Sequence, residues 1–485
     1  MKIKDNALFR QQNYINGAWV DAADGAKINV TNPSTGKKIG CVPSISAKEC
    51  AAAVDAANAA LPTWRATDAK TRANILRKWF DLCMAAQDDL GMILTTEQGK
   101  PLAEGKGEIA YGASFLEWFA EEGKRAYGDI IPATSADKRI MVLKQPVGVV
   151  AAITPWNFPC AMIARKVGAA LAAGCTIVIK PASATPFTAL AMAELAERAG
   201  VPKGVINVVN GSARVIGGEL TSNPIVRKLT FTGSTEVGKI LLEQCAGTVK
   251  KVSMELGGNA PFIVFEDADL DAAVEGCIIS KFRNAGQTCV CANRIYVHDK
   301  VYDAFARKLK AAVKKLTMGD GLKAGVQIGP MIDMAGVEKV EEHIADAVEK
   351  GGKIVLGGKR DKKLGGSFFP PTIIVDAPQS AKVSKEETFG PLAALIRFKT
   401  EKQVIKMAND TEFGLACYYY TRDIARSWRV SEALDYGIVG LNTGLISTEV
   451  APFGGVKESG VGREGSKYGL DDYMEAKYVC VGGVE

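Results

Sequence analysis

From Arg139 to about Gly440 the chain alternates short β-rich runs with helical stretches of 10 to 15 residues. That rhythm belongs to βαβ units, whose strands lie parallel and carry helices on their faces. The first series has β runs at 147–153, 175–179, 205–209, 227–231 and 251–254, separated by helix-like stretches at 161–173, 186–199, 213–220 and 234–245. A second series opens at Pro261-Phe262-Ile263-Val264 and has helices near 270–284, 302–316, 336–350 and 401–409. The expected fold class is α/β with two doubly wound parallel-sheet domains, and 485 residues at roughly 150 per domain leave room for a further small unit. Runs at 139–144 and 473–481 have no local helix to cover them, and isolated β segments seek a sheet edge. They predict a small β oligomerisation arm joining a neighbouring subunit in a homodimer or homotetramer, with an internal flap as the alternative.

Ahead of this region, Asn16-Gly17 between apolar residues predicts a tight hairpin. Ser46 with Glu49 forms a capping box before an Ala-rich helix, and Asp68 opens a helical region running toward Gly99-Lys100-Pro101. A further helix is expected over about 104–124.

Several function classes drop out. A net charge of +6 with no Lys/Arg run offers no footprint for nucleic acid or an anionic membrane. No stretch approaches 18 apolar residues, and residues 1–10 carry neither signal-peptide nor transit-peptide features, so a cytoplasmic chain is expected. Eleven cysteines without a C-x-x-C argue against a disulfide framework or zinc ribbon. The only histidines, His298 and His343, are expected as ordinary surface residues, which leaves no metal site and makes a carboxylate the natural general base.

No G-x-G-x-x-G fingerprint occurs in 139–255. Instead Phe231-Thr232-Gly233-Ser234 runs from a strand into a helix N-terminus, where free N–H groups can hold an anion, although Gly233 could equally be a turn glycine. The spacing imitates a Walker A loop but fails at Ile240, where magnesium requires a hydroxyl. Lys180-Pro181-Ala182-Ser183 ends a strand where ligands sit in open α/β sheets, or is simply solvated there. In Thr154-Pro155-Trp156-Asn157-Phe158-Pro159 two prolines pin the backbone around Asn157, giving either a fixed oxyanion donor or an Asx-type turn. Gly286-Gln287-Thr288-Cys289 puts a cysteine in a polar loop, whereas Cys175, Cys277 and Cys417 lie in apolar runs as inert small hydrophobes. Glu255-Leu256-Gly257-Gly258 ends a strand with a carboxylate that another group can approach, or with an exposed acid.

Together with Glu386-Glu387-Thr388-Phe389-Gly390-Pro391 and the segment 452–460 (PFGGVKESG), these motifs resemble the aldehyde dehydrogenase superfamily, in the same order and across essentially the whole chain. The resemblance implies an NAD(P)-binding domain at 1–125 and 148–256, an oligomerisation arm at 126–147 and 469–485, and a catalytic domain at 257–468. It implies that Cys289 attacks an aldehyde to give a thiohemiacetal and then a thioester, that Asn157 and the Cys289 N–H hold the oxyanion, and that Glu255 activates the hydrolytic water. It further implies cofactor contacts from Thr154, Pro155, Trp156, Lys180, Ala182, Ser183, Gly233, Ser234, Leu256, Glu387 and Phe389. NAD-preferring members commonly carry a glutamate where this chain has Ser183, so NADP is expected as the preferred cofactor with NAD possible.

Arg165 and Arg283 interrupt helical, partly apolar segments near the chemistry, and guanidinium forks suit carboxylates, though each could instead cap a helix or pair with an acid. The segments around Arg165, Arg283 and Ser447 resemble those of succinate-semialdehyde dehydrogenases, which implies a short aldehyde with a distal carboxylate. Glutarate semialdehyde is the alternative substrate, and a cysteine amidase or acyltransferase the remoter alternative activity. Cys291, two residues past Cys289, is either a redox partner for it or a spacer.

Overall fold

A computed structural model describes residues 1–361 and 363–484. Its first sheet has eight strands in the order Gly460–Val461, Lys251–Glu255, Val226–Thr232, Val149–Ile153, Thr176–Lys180, Ile206–Val208, Asn13–Ile15 and Ala18–Val20. The five strands from Lys251–Glu255 to Ile206–Val208 are parallel, and the chain leaves Val149–Ile153 in one direction before returning to its other flank at Val226–Thr232. Register aligns the carboxyl ends, with Ile153 opposite both Lys180 and Phe231 and Thr232 opposite Glu255. A ligand crevice is expected where the strand order reverses, beyond Ile153 and Thr232.

The second sheet has seven strands in the order Lys353–Leu356, Thr372–Val375, Leu392–Phe398, Ala292–His298, Ala260–Val264, Ala416–Tyr420 and Ile438–Leu441, parallel except for the first pair. Both sheets are buried on two faces because alternate residues feed different cores. Val150 and Ala152 pack in one cluster and Val149 and Ala151 in another, while Phe262 and Val264 are separated in the same way from Ile263. The α/β class with two doubly wound sheets is as expected from the alternation.

The segments without covering helices pair with each other. Met474–Gly482 runs antiparallel to Lys138–Pro146 along its full length, with Asp129–Ile131 on the far edge. Their side chains are largely exposed, Ile130 at 86% and Tyr478 at 62%.

Local signals were well obeyed. Asn16 (φ 51°) and Gly17 (φ 73°) both adopt the left-handed conformation that a two-residue hairpin turn requires. Ser46 and Glu49 form the reciprocal capping box, and Asp68 caps Ala69–Ala85. The helical region after Asp68 breaks at Ala86 and resumes as Gln87–Gln98.

Two expectations need correction. Helix Leu270–Phe282 stops short of 284 because Arg283 leaves helical geometry (ψ 136°) and Asn284 and Ala285 turn left-handed. Both histidines are buried, not on the surface. His343 shares the inward face of Met334–Glu349 with Val340, Ile344 and Ala347, and its Nδ1 lies 3.0 Å from Thr388 Oγ1. His298 packs edge-on against Phe398, with Nε2 3.0 Å from the Lys399 carbonyl.

Candidate active site

A cavity of about 250 Å³ opens at the switch point. Pro155, Trp156 and Asn157 enter it from beyond Ile153, Thr232, Gly233 and Ser234 from the next strand, Leu256 and Gly257 from beyond Glu255, and Cys289, Glu387 and Phe389 from the second sheet's side. Ser234 caps helix Thr235–Ala246, so that helix's N-terminus faces the opening. Thr154 Oγ1 and Thr232 Oγ1 are buried without a hydrogen-bond partner. Phe389, held at φ 54°, stands edge-on to Trp156 with ring centres 5.6 Å apart. Glu387 accepts the Gly258 N–H at 3.1 Å, and burial pushes its carboxyl up to about 7. A Cβ on Gly257 would lie only 3.0 Å from that carboxylate, so any larger residue would press on it.

Lys180, Ala182, Ser183 and Thr154, also expected at the cofactor, are not part of this lining. Thr154 N–H donates to the Lys180 carbonyl at 3.1 Å. Lys180 Nζ reaches only the Pro181 carbonyl at 3.1 Å, and burial lowers its ammonium to about 8.

The cysteine loop depends on the left-handed turn Asn284-Ala285-Gly286. A Cβ on Gly286 would sit 2.2 Å from the Gly390 carbonyl oxygen, so the two backbones touch there. Asn157 Nδ2 donates to the Gln287 carbonyl at 3.2 Å, which aims the amide at the cysteine loop, while its Oδ1 stays unpartnered. Cys289 is half-buried. Burial pushes its thiol up to about 12; Arg165 and Arg283 pull it down while Glu255 and Glu387 push it higher.

A second, narrow cavity joins Cys289 to Arg165, Arg283, Ser447, Tyr111, Phe158 and Phe453. An outer cavity of about 260 Å³ shares Tyr111, Phe158, Arg283 and Ser447 with it and adds Glu104, Glu108 and Leu445. The fully buried Arg165 pairs with Glu464 at 3.3 Å, donates to the Tyr111 hydroxyl at 2.5 Å and lies over Phe453. Among the described residues Arg283 has no ion pair, and its guanidinium lies 5.4 Å from the Phe158 ring centre.

Glu255 is buried with both carboxyl oxygens unpartnered. Burial first, and then the charge of Glu464, hold its carboxyl well above the ordinary range, against the pull of Lys166, Arg165 and Arg463. Lys166 itself pairs with Glu464. A Cβ on Gly454 would lie 2.9 Å from Glu255 Oε1, so this glycine leaves one side of the acid open.

Cys291 is the predicted site residue that faces elsewhere. Its Sγ lies 3.3 Å from the buried Lys281 Nζ, and it lines neither cavity. A bond between Cys289 and Cys291 would require it to leave that lysine.

A model described as the aldehyde dehydrogenase family matches residues 19–479. The chain belongs to this family. It is 69% identical over 482 residues to the succinate-semialdehyde dehydrogenase [NADP(+)] of Escherichia coli, covering 99% of this chain and 100% of the relative. It is also 69% identical over 484 residues to the glutarate-semialdehyde dehydrogenase of Pseudomonas aeruginosa, covering 100% of both. The crystal structure of an E. coli NADP-dependent enzyme superimposes with a TM-score of 0.98 at 69% identity, covering 99% of this chain and 100% of that one.

For an aldehyde dehydrogenase, the first cavity fits a dinucleotide. It has a helix N-terminus, the orphaned Thr232 hydroxyl, a carboxylate held by a glycine N–H and an aromatic pair at one end. Sequence reasoning missed Tyr111, Lys166, Glu464 and the buried pair Lys100–Glu108. The signal for Lys166 was present, two adjacent cations in an otherwise apolar helix, Ala161–Ala173. Tyr111 and Glu464 gave none, since only the fold brings them beside Arg165.

Proposed function

We propose that the chain oxidises succinate semialdehyde to succinate through a cysteine thioester, preferring NADP to NAD. The observation carrying this reading is the meeting of Arg165, Arg283 and Ser447 with Cys289 in one narrow cavity. Two guanidinium groups suit a carboxylate at the far end of a short aldehyde. The 69% identity to the E. coli succinate-semialdehyde dehydrogenase supports the same substrate and cofactor.

In the proposed reaction the Cys289 thiol gives its proton to water and the resulting thiolate attacks the carbonyl carbon. The Asn157 amide and the Cys289 N–H receive the oxyanion, one such donor being worth on the order of 3 kcal/mol. Trp156, Gly233, Ser234, Leu256, Glu387 and Phe389 would hold a nicotinamide cofactor, which when bound would supply the hydride acceptor; loss of hydride from the adduct leaves an acyl thioester on Cys289. Glu255 takes the proton of the water that cleaves the thioester, releasing the acid and freeing the sulfur. A carboxylate whose proton affinity is raised by burial and by Glu464 is a stronger base than an exposed one. Ser183 in place of an acid, three residues after Lys180, favours a ribose 2′-phosphate over a free hydroxyl.

A second reading has its own support. The outer cavity gives a chain one methylene longer room to extend past Arg283, and the P. aeruginosa relative is a glutarate-semialdehyde dehydrogenase of equal identity. One methylene changes binding by only about 1 to 3 kcal/mol. The deciding experiment is kcat/KM for succinate, glutarate and uncharged aldehydes of matched length with both cofactors. An uncharged aldehyde equal to the semialdehydes would overturn the carboxylate assignment.

No helix among the described residues is long and apolar enough to cross a membrane. We take the site of action to be the cytoplasm, and the exposed sheet of Lys138–Pro146 and Met474–Gly482 to be the surface through which subunits associate.

A further inference from the structure

Lys100 and Glu108 form an ion pair at 2.6 Å with both side chains at 0% exposure. Burying two charges costs several kcal/mol before their attraction is counted, so an isolated pair of this kind is weak as a stabiliser. What distinguishes this one is where its remaining bonding capacity goes. Lys100 Nζ donates to the backbone carbonyl of Asn157 at 2.7 Å and lies 3.8 Å from the centre of the Phe158 ring. With Glu108 these make three targets for the three N–H groups of the ammonium. The other Glu108 oxygen accepts the N–H groups of Cys160 (2.9 Å) and Ala161 (3.3 Å), at the start of the helix that carries Arg165.

The lysine is itself anchored. Its N–H donates to Gln98 Oε1 at 2.9 Å, and Gln98 Nε2 reaches Asn284 Oδ1 at 3.0 Å, whose Nδ2 returns to the Asn157 carbonyl at 3.0 Å. A Cβ on Gly321 would lie 2.4 Å from the Lys100 carbonyl oxygen, so the backbone of the lysine is pressed against the 321 segment. The bonds close a ring from the Asn157 carbonyl through the cysteine loop and back through Lys100.

We propose that Lys100, with Glu108, is a positioning residue: the pair sets the Asn157 backbone, and so the aim of its amide, relative to both the cysteine loop and the start of the Arg165 helix. The inference rests on the oxyanion role given to Asn157 above. Neither residue needs to touch the aldehyde for this.

The test is the double variant Lys100→Met/Glu108→Gln. It removes the three donors without stranding a buried charge and keeps an acceptor for Cys160 and Ala161. The expected result is a kcat lower by about 10- to 100-fold, the size of effect a small misplacement of a reacting group produces. Cofactor Kd and aldehyde KM should change by less than about threefold, since donor aim is used only as charge develops. Asn157→Ala, expected to cost about 10²- to 10³-fold in the parent chain, should cost less than about tenfold in the double variant, because the amide it removes is already misaimed. A merely structural pair would give additive losses. Parental kcat in the double variant, or an Asn157→Ala loss as large there as in the parent, overturns the proposal.

Should the double variant not fold, Glu108→Gln alone should show a smaller kcat loss with the same non-additivity, and parental kcat in it is equally contrary. Asn157→Ala turning over at the parental rate would remove both the oxyanion role and the positioning built on it. The parent's own turnover, measured in the same series, reports separately on the proposed reaction.

Discussion

Arg165 and Glu464 lie 3.3 Å apart inside the protein, and the same guanidinium also donates to the Tyr111 hydroxyl, so this arginine is already ion-paired before any substrate arrives, although its Nε is left without a partner. Arg283 shares the cavity with Cys289 but has no ion pair among the described residues. The two arginines that look equivalent in the sequence are therefore unequal.

Replacing Arg283 by Leu should lower kcat/KM for succinate semialdehyde by about 10- to 100-fold, the worth of a charge-assisted bond, and leave an uncharged aldehyde almost unaffected. Arg165→Leu should instead impair both substrates and destabilise the chain by about 3 to 5 kcal/mol, because one cationic partner of the buried Glu464 is removed. Steady-state kinetics with paired substrates and a denaturant titration separate the two patterns. Equal selectivity losses at constant stability would contradict them.

Ser183→Glu should lower the preference for NADP over NAD by roughly tenfold or more, since a carboxylate repels a 2′-phosphate and bonds a free ribose hydroxyl. The ratio of kcat/KM values for the two cofactors is the measurement, and an unchanged ratio would show that position 183 does not read the phosphate.

Burial lowers Lys180 to about 8, so its positive charge is present below that pH and lost above it. NADP affinity should accordingly weaken as pH rises through about 8, by more than NAD affinity does. In Lys180→Met the difference between the cofactors should no longer vary across that window. Titrations of Kd at several pH values check this, and parallel curves for NADP and NAD in the parent would refute it.

Glu464 raises the Glu255 carboxyl, whereas Lys166 and Arg165 lower it. In Glu464→Gln the repulsion disappears and the two cations lose their partner, and both changes push the Glu255 pKa down. The acidic limb of the pH profile for thioester hydrolysis, where activity rises as this base loses its proton, should shift to lower pH. A shift to higher pH, or none, would mean that Glu464 does not act on that base.

Much of the fold was legible because a parallel strand buried on both faces reads as a short continuous apolar run, as at Val149–Ile153 and Ala260–Val264. The first cavity was legible for a related reason: a crowded turn excludes a Cβ, so glycine marks the places where the Phe231 ring closes on Gly233 and the Gly390 backbone on Gly286. The turn at Arg283 was not legible. Asn284 and Ala285 adopt left-handed conformations without being glycine, so the pattern of the preceding helix ran on through them. His343 was misread because a polar residue among charged neighbours gives no sign that Thr388 will meet it across the core. Tyr111, Glu464 and Lys100 become part of the site only through distant pairings, which local pattern does not encode.

The contact between Gly286 and Gly390 couples the nucleophile's turn to the segment bearing Glu387 and Phe389, with no side chain between them to absorb a shift. The sulfur and the cofactor-side ring should therefore behave as one mechanical part. Anyone exchanging loops between this chain and a relative with a different cofactor habit would have to transplant 284–291 and 386–391 as a matched set, because either one alone would meet a backbone shaped for its original neighbour.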